Sequence, residues 1–171
     1  MTLERGFWLF WLGGLLAFAI TLFLHLPLAI PEVPAGIGDH QAAGTAAEVD
    51  RIQHAWRSAG LWNRAAVAML SDLVFIVIYG IGAVLGGMWL GRHSGAVRIV
   101  GLLVAIAGAV FLITDLTETT AEIVQLWRFQ GDDGMAALAA GVRPIKMVTW
   151  IASFLGIIVG LLLRRFSRRA A

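Results

Sequence analysis

Residues 100–126 read VGLLVAIAGAVFLITDLTETTAEIVQL, and the fold follows from what this stretch is and from what interrupts it. At 1.5 Å per residue, a helix of this length crosses a hydrocarbon core of about 30 Å. Its first half holds no ionisable side chain, whereas its second half holds Asp115, Glu118 and Glu122. With Gln125 these acids stand at i, i+3, i+7 and i+10, within roughly 80° of arc at 100° per residue. They form one acidic stripe on an otherwise apolar helix. Such a stripe faces other helices, because a carboxylate exposed to lipid is costly.

Three more apolar runs flank it: residues 6–30, in which His25 is the only ionisable residue, residues 65–90, and residues 144–163. Pro144 suits the first turn of the last of these, where its missing N–H is not needed. Residues 1–171 are thus predicted to be one all-α domain, a four-transmembrane-helix bundle with an outer loop at 31–64. Composition agrees: of 171 residues, 59% are hydrophobic and 14% charged, where about 25% charged is usual in soluble domains. A cleaved signal peptide is the rival for the first run, but that apolar stretch exceeds the roughly 7–15 residues of such peptides. No cysteine is present, which excludes disulfides, iron–sulfur clusters and Cys-ligated zinc. The net charge of +2 comes from basic residues beside apolar runs, so no nucleic-acid partner is expected.

The 31–64 connection begins irregularly at Pro31, Pro34, Gly36 and Gly38, then turns helical. Thr45 and Glu48 fit a capping box, and Val49, Ile52, Trp56 and Ala59 follow at helical spacing up to Gly60. This predicts an amphipathic helix at the membrane interface. Arg5, Arg92, Arg98, Arg164, Arg165, Arg168 and Arg169 lie on the side of the termini; Arg51, Arg57, Arg64, Arg128, Arg143 and Lys146 lie on the other. If Arg143 and Lys146 pair with buried acids, the free basic residues place both termini in the cytoplasm of a bacterial inner membrane. The lipid bilayer is the evident partner, and the C-terminal arginines offer a contact for anionic lipid. Small-residue pairs such as Gly156 with Gly160 suit packing within the bundle, or against a homo-oligomer or another membrane protein.

His25, Asp72, Tyr79, Asp115, Glu118, Glu122, Arg143 and Lys146 are expected at similar depth, one layer fed by all four spans. In one reading they satisfy one another: Lys146 neutralises Asp72 or Asp115, Tyr79 donates to a carboxylate, and Arg143 caps Glu122. In another, the acids outnumber the bases and the layer holds an outer-leaflet ligand: a proton, a cation or an amine headgroup. The chain then acts as an accessory or ligand-binding membrane protein, or alternatively as a proton- or cation-coupled transporter. A metal site on His25, Asp72, Asp115 and Glu118 has suitable ligand types without enforcing spacing, which leaves a metal-dependent intramembrane enzyme as a further alternative. No catalytic residue, metal ligand or cofactor is assigned. Asp132 and Asp133 read as a solvated turn, and His40 and His93 as exposed loop histidines.

Trp56, Gly60 and Arg64 precede Asp72-x-x-Phe75-x-x-x-Tyr79, followed by Asp115-x-x-Glu118 and by Lys146 at the last span. Over most of the chain this pattern resembles a group of small, largely uncharacterised bacterial four-span integral membrane proteins. That group tends to place Asn where this chain has Thr119. The resemblance implies the four-span architecture and the importance of Asp72, Tyr79, Asp115, Glu118 and Lys146; it implies no activity.

Overall fold

A computed structural model describes residues 2–167, and Arg168 and Arg169 of the basic tail lie outside the described residues. Within them the protein is all-α. Helix α1 spans Leu3–His25 and runs into a 3-10 turn at Leu26–Leu28; α2 is Ile37–Ala42, α3 Ala46–Ser58, α4 Trp62–Leu90, α5 Gly95–Arg128 and α6 Asp133–Ser167. Four of these segments, Leu3–Leu28, α4, α5 and α6, are long and apolar enough to cross a membrane, with mean hydropathy of at least 2.1 in their most apolar windows. This is the pattern of a multi-pass membrane protein.

The fourth helix starts eleven residues earlier than its apolar run suggested. Asp132 accepts a hydrogen bond from the Met135 N–H at 2.8 Å, satisfying a donor that the helix start leaves open. Pro144 is therefore inside α6 rather than in its first turn. The helix continues through it with one backbone donor fewer.

The chain divides into two compact units, each assembled from parts of all four long helices. The unit containing the termini comprises residues 1–15, 76–113 and 145–171. Its helices meet through glycine. A Cβ on Gly82 would strike the Trp11 backbone, one on Gly87 the Ala105 backbone, and one on Gly101 the backbone at Leu90 and Gly91. Gly156 lies against Val104 and Gly160 against Leu90, so this small-residue pair is used within the unit. Aromatic rings fill what remains: Phe7 stacks on Trp11 and Trp89, and Tyr79 meets Phe111 edge to face at 5.4 Å.

The second unit comprises residues 16–75 and 114–144 and contains the long loop. Its core gathers Leu28, Val33, Val49, Ile52, Trp56, Met69 and Leu126. Trp56 is fully buried, and its indole N–H donates to the Leu28 carbonyl at 3.0 Å, closing the end of the 3-10 turn. Helix α3 starts on the expected capping box: the Glu48 N–H donates to Thr45 Oγ1, and the Glu48 carboxylate accepts from the Gly44 N–H. It ends on Gly60 at φ +71°, with the Leu61 N–H reaching back to the Trp56 carbonyl. Val49, Ile52, Gln53 and Trp56 form its buried face, and Glu48, Arg51, His54 and Arg57 its exposed one.

Two carboxylates tie α3 to the turn between α5 and α6. Asp50 accepts from the Gly131 N–H at 2.6 Å, and Asp133 accepts from the Ala46 N–H at 2.7 Å. Asp132 and Asp133 are exposed, as a solvated turn requires, and in addition cap α6 and latch α3. Helix α5 ends on Phe129 at φ +51°, a left-handed conformation that usually falls to glycine. Its ring is held in place by Arg57, whose guanidinium carbon sits 4.3 Å from the ring centre, and by His54 and Trp62.

Candidate functional site

The acidic stripe of α5 is buried. Asp115, Glu118, Thr119, Glu122 and Gln125 are all at most 5% exposed, over roughly three turns of a helix otherwise rich in aliphatic side chains. The 3.6-residue period puts them on one face. Thr119 donates to Asp115 Oδ1 at 3.5 Å, a long contact. Gln125 bridges the helix end: its amide donates to the Ala121 carbonyl, and its oxygen accepts from the Asp132 N–H at 3.0 Å. The stripe is thereby joined to the cap of α6.

Asp72 in the same unit sits 3.2 Å from His25, Oδ2 to Nε2. The two atoms are close without meeting the geometry of a hydrogen bond. Beside them, Thr21 donates to Ser71 Oγ at 3.0 Å, and Ser71 donates to the Ala68 carbonyl. Helical serines that return a proton to their own backbone have no nucleophilic arrangement. Among the described residues no three His, Asp or Glu side chains converge closely enough to hold a metal ion. The ligand set of His25, Asp72, Asp115 and Glu118 therefore lacks the geometry a metal requires.

The remaining candidates are distributed between the units. Arg143, half-buried in the loop unit, places a guanidinium nitrogen beside Gly38. Tyr79 and Lys146 belong to the termini unit. The Tyr79 hydroxyl pairs with Ser153 Oγ at 3.0 Å, and Ser153 donates to the Trp150 carbonyl. Lys146 is 6% exposed, so its ammonium is not a simple interfacial anchor. Arg164, read as part of a basic tail, is engaged: its Nε donates to His93 Nε2 at 3.0 Å, its guanidinium covers Trp89, and Glu4 lies 3.7 Å away.

His40 departs most from its sequence reading. It is 1% exposed and stacks on Trp56 at 5.4 Å between ring centres. Burial holds its pKa down at about 4, against an ordinary 6.5, because the charged imidazolium loses its water. Gln53, one turn before Trp56, is fully buried as well, and neither side chain has a hydrogen-bond partner among the described residues. The sequence around His40, IGDHQAAG, is polar and glycine-rich; nothing local announces its burial beside the ring of Trp56.

No family model, curated protein or solved structure matches this chain.

Proposed function

We propose that this chain is a small integral membrane protein that binds a cationic ligand at the acidic face of α5, in an accessory role within its membrane. One observation carries the reading: Asp115, Glu118 and Glu122 are buried on successive turns of a helix apolar enough to cross a bilayer. An acid at the centre of such a helix costs about 2.5–3.5 kcal/mol on insertion. Buried carboxylates in spanning segments mark ion, proton or substrate sites, and the chemistry complementary to them is a proton, an inorganic cation or the amine of a headgroup. The basic residues flanking the spans support both termini in the cytoplasm and a ligand arriving from the opposite leaflet, with α3 as an interfacial helix.

The test is thermal unfolding of the full chain in nanodiscs, with sodium and tetramethylammonium as probes. A bound ligand at a hundred times its Kd stabilises by about 2.7 kcal/mol. Saturable stabilisation of the parent chain by one probe, lost in Glu118→Gln and in Asp115→Asn, supports the reading. Equal responses in parent and variants overturn it, as does the absence of saturation with both probes.

A further inference from the structure

The loop unit holds a second feature, remote in composition from the acidic stripe. A cleft of about 450 Å3 is lined by Phe23 and Leu24 from the end of α1, by Pro27 from the 3-10 turn that follows it, and by Asn63, Arg64 and Val67 from the start of α4. That volume lies in the range of small-molecule sites. Four of its six lining residues are apolar, and Phe23 and Val67 are 71% and 53% exposed, so the cleft opens on the exposed apolar surface of two segments long and apolar enough to cross a membrane. Its two polar residues are adjacent, in the first turn of α4.

The state of Arg64 sets it apart from its neighbours. Arg51 donates to the Glu32 carbonyl at 2.8 Å, and Arg57 stacks on Phe129. Arg64 is exposed and has no ion pair, hydrogen bond or ring contact among the described residues, and Asn63 has none either. A planar guanidinium with all its donors open, next to an amide, is suited to a phosphate. The positive end of the α4 dipole adds to the same field. An apolar cleft with a phosphate-binding pair at one end matches an acyl chain joined to a phosphodiester.

We propose that this cleft is a phospholipid site, with one acyl chain against Phe23, Leu24, Pro27 and Val67 and the phosphate on Arg64 and Asn63. A carboxylate-headed fatty acid would use the same apolar wall. The phosphodiester is favoured because its oxygens can engage Arg64 and Asn63 together. The proposal uses no residue of the acidic stripe, so it and the cation-binding reading fail separately.

Native mass spectrometry of the full chain, delipidated in detergent, tests it with three probes sharing oleoyl chains: phosphatidylglycerol, diacylglycerol and oleate. Phosphatidylglycerol is expected to be retained at least tenfold better than the other two. Arg64→Gln is expected to lower that retention about tenfold, the loss of one charged hydrogen-bonding group, and Val67→Trp to abolish it by filling the cleft. Arg64 is exposed and unpartnered, so its variant folds whatever becomes of Val67→Trp. Equal retention by the parent chain and Arg64→Gln overturns the proposal. Retention of diacylglycerol equal to that of phosphatidylglycerol shows that phosphate plays no part, and preference for oleate assigns the cleft to fatty acids; each overturns it.

Discussion

The two units are made from the same four long helices, yet they are held together by opposite means. In the termini unit, glycines at positions 82, 87, 101, 156 and 160 bring helices to near contact, and stacked aromatics fill the rest. In the loop unit an apolar core around Trp56, Ile52 and Met69 is joined by buried polar side chains: Asp72, Asp115, Glu118, Glu122, Gln125, His40 and Gln53. Close helix approach and a buried polar layer exclude each other locally. A glycine contact leaves no volume for a carboxylate and its partners, whereas a carboxylate needs side chains large enough to reach it. The loop unit also carries α3, whose buried face of Val49, Ile52 and Trp56 joins the apolar core and which Asp50 and Asp133 tie to the turn between α5 and α6. The loop unit should therefore respond to protons and to the loss of single hydrogen bonds, and the termini unit to added volume.

The largest expected effect is acid sensitivity confined to the loop unit. An unfolded His40 binds its proton near pH 6.5, while the folded one does so only near about 4. Between those values the unfolded state holds more protons, so its stability falls as pH drops from about 6.5 toward about 4 and levels off below. The loss is on the order of 3 kcal/mol. Hydrogen exchange across α2 and α3, followed over that range, should show it, and His40→Phe should remove this part of the pH dependence. A parent chain whose α2 and α3 exchange is unchanged between pH 7 and 4 would contradict the contrast.

Volume gives the converse test. Gly87→Ala places a methyl against the Ala105 backbone, which cannot move as a flexible side chain can, and should destabilise by about 2–3 kcal/mol. Gly141→Ala, in the loop-unit part of α6 where an added Cβ meets nothing within 4 Å, should stabilise by up to about 1 kcal/mol through helix propensity. Opposite signs in thermal unfolding in detergent sharpen the comparison; two losses of equal size break it.

The long helices and the acidic face were legible in the sequence, whereas the division into two units was not, and the reasons differ by feature. The long helices are encoded by apolar length, and the acidic face of α5 by a 3.6-residue period that needs no tertiary information. The capping box at Thr45 is likewise local. What escaped depends on distant partners. Asp50 and Asp133 carry no sequence mark as latches, since each meets a backbone N–H more than eighty residues away. His40 lies in a polar stretch and stacks on Trp56, sixteen residues away. The start of α6 lies earlier than the apolar run predicts because Pro144 imitates a first helical turn, while the decisive signal, Asp132 as a cap, sits in a glycine-flanked turn. The lipid cleft was equally unreadable: Phe23 and Arg64 become neighbours only through the packing of α1 against α4.

Within the loop unit, Trp56→Phe probes whether the cover depends on one bond. Phenylalanine keeps most of the apolar contact but removes the donor to the buried Leu28 carbonyl. An acceptor left without its partner costs about 1–3 kcal/mol, so a loss of about 2 kcal/mol is expected. Faster exchange should be concentrated at residues 26–33 and in α3. A uniform change over the whole chain would mean that Trp56 acts through bulk stability and not as a local clasp.

The smallest effect is expected at the start of α3, and it measures how far the cover is held by its own helix rather than by its latches. Thr45→Ala removes the oxygen that accepts from the Glu48 N–H and also ends the contact between the two capping side chains. An exposed N-cap of this kind contributes about 1 kcal/mol. The Ala46 N–H remains satisfied by Asp133, so fraying should not run through the first turn unless that latch is lost too. Asp133→Asn weakens the latch by replacing a charged acceptor with a neutral one. If cap and latch act on the same helix start, the double variant should lose more than the sum of the two, because each single change leaves the other to hold the end in place. Exchange rates of the amides at 46–49 read this directly. Simple additivity would show that capping box and latch are independent, and that α3 is secured along its buried face by Val49, Ile52 and Trp56 more than at its end.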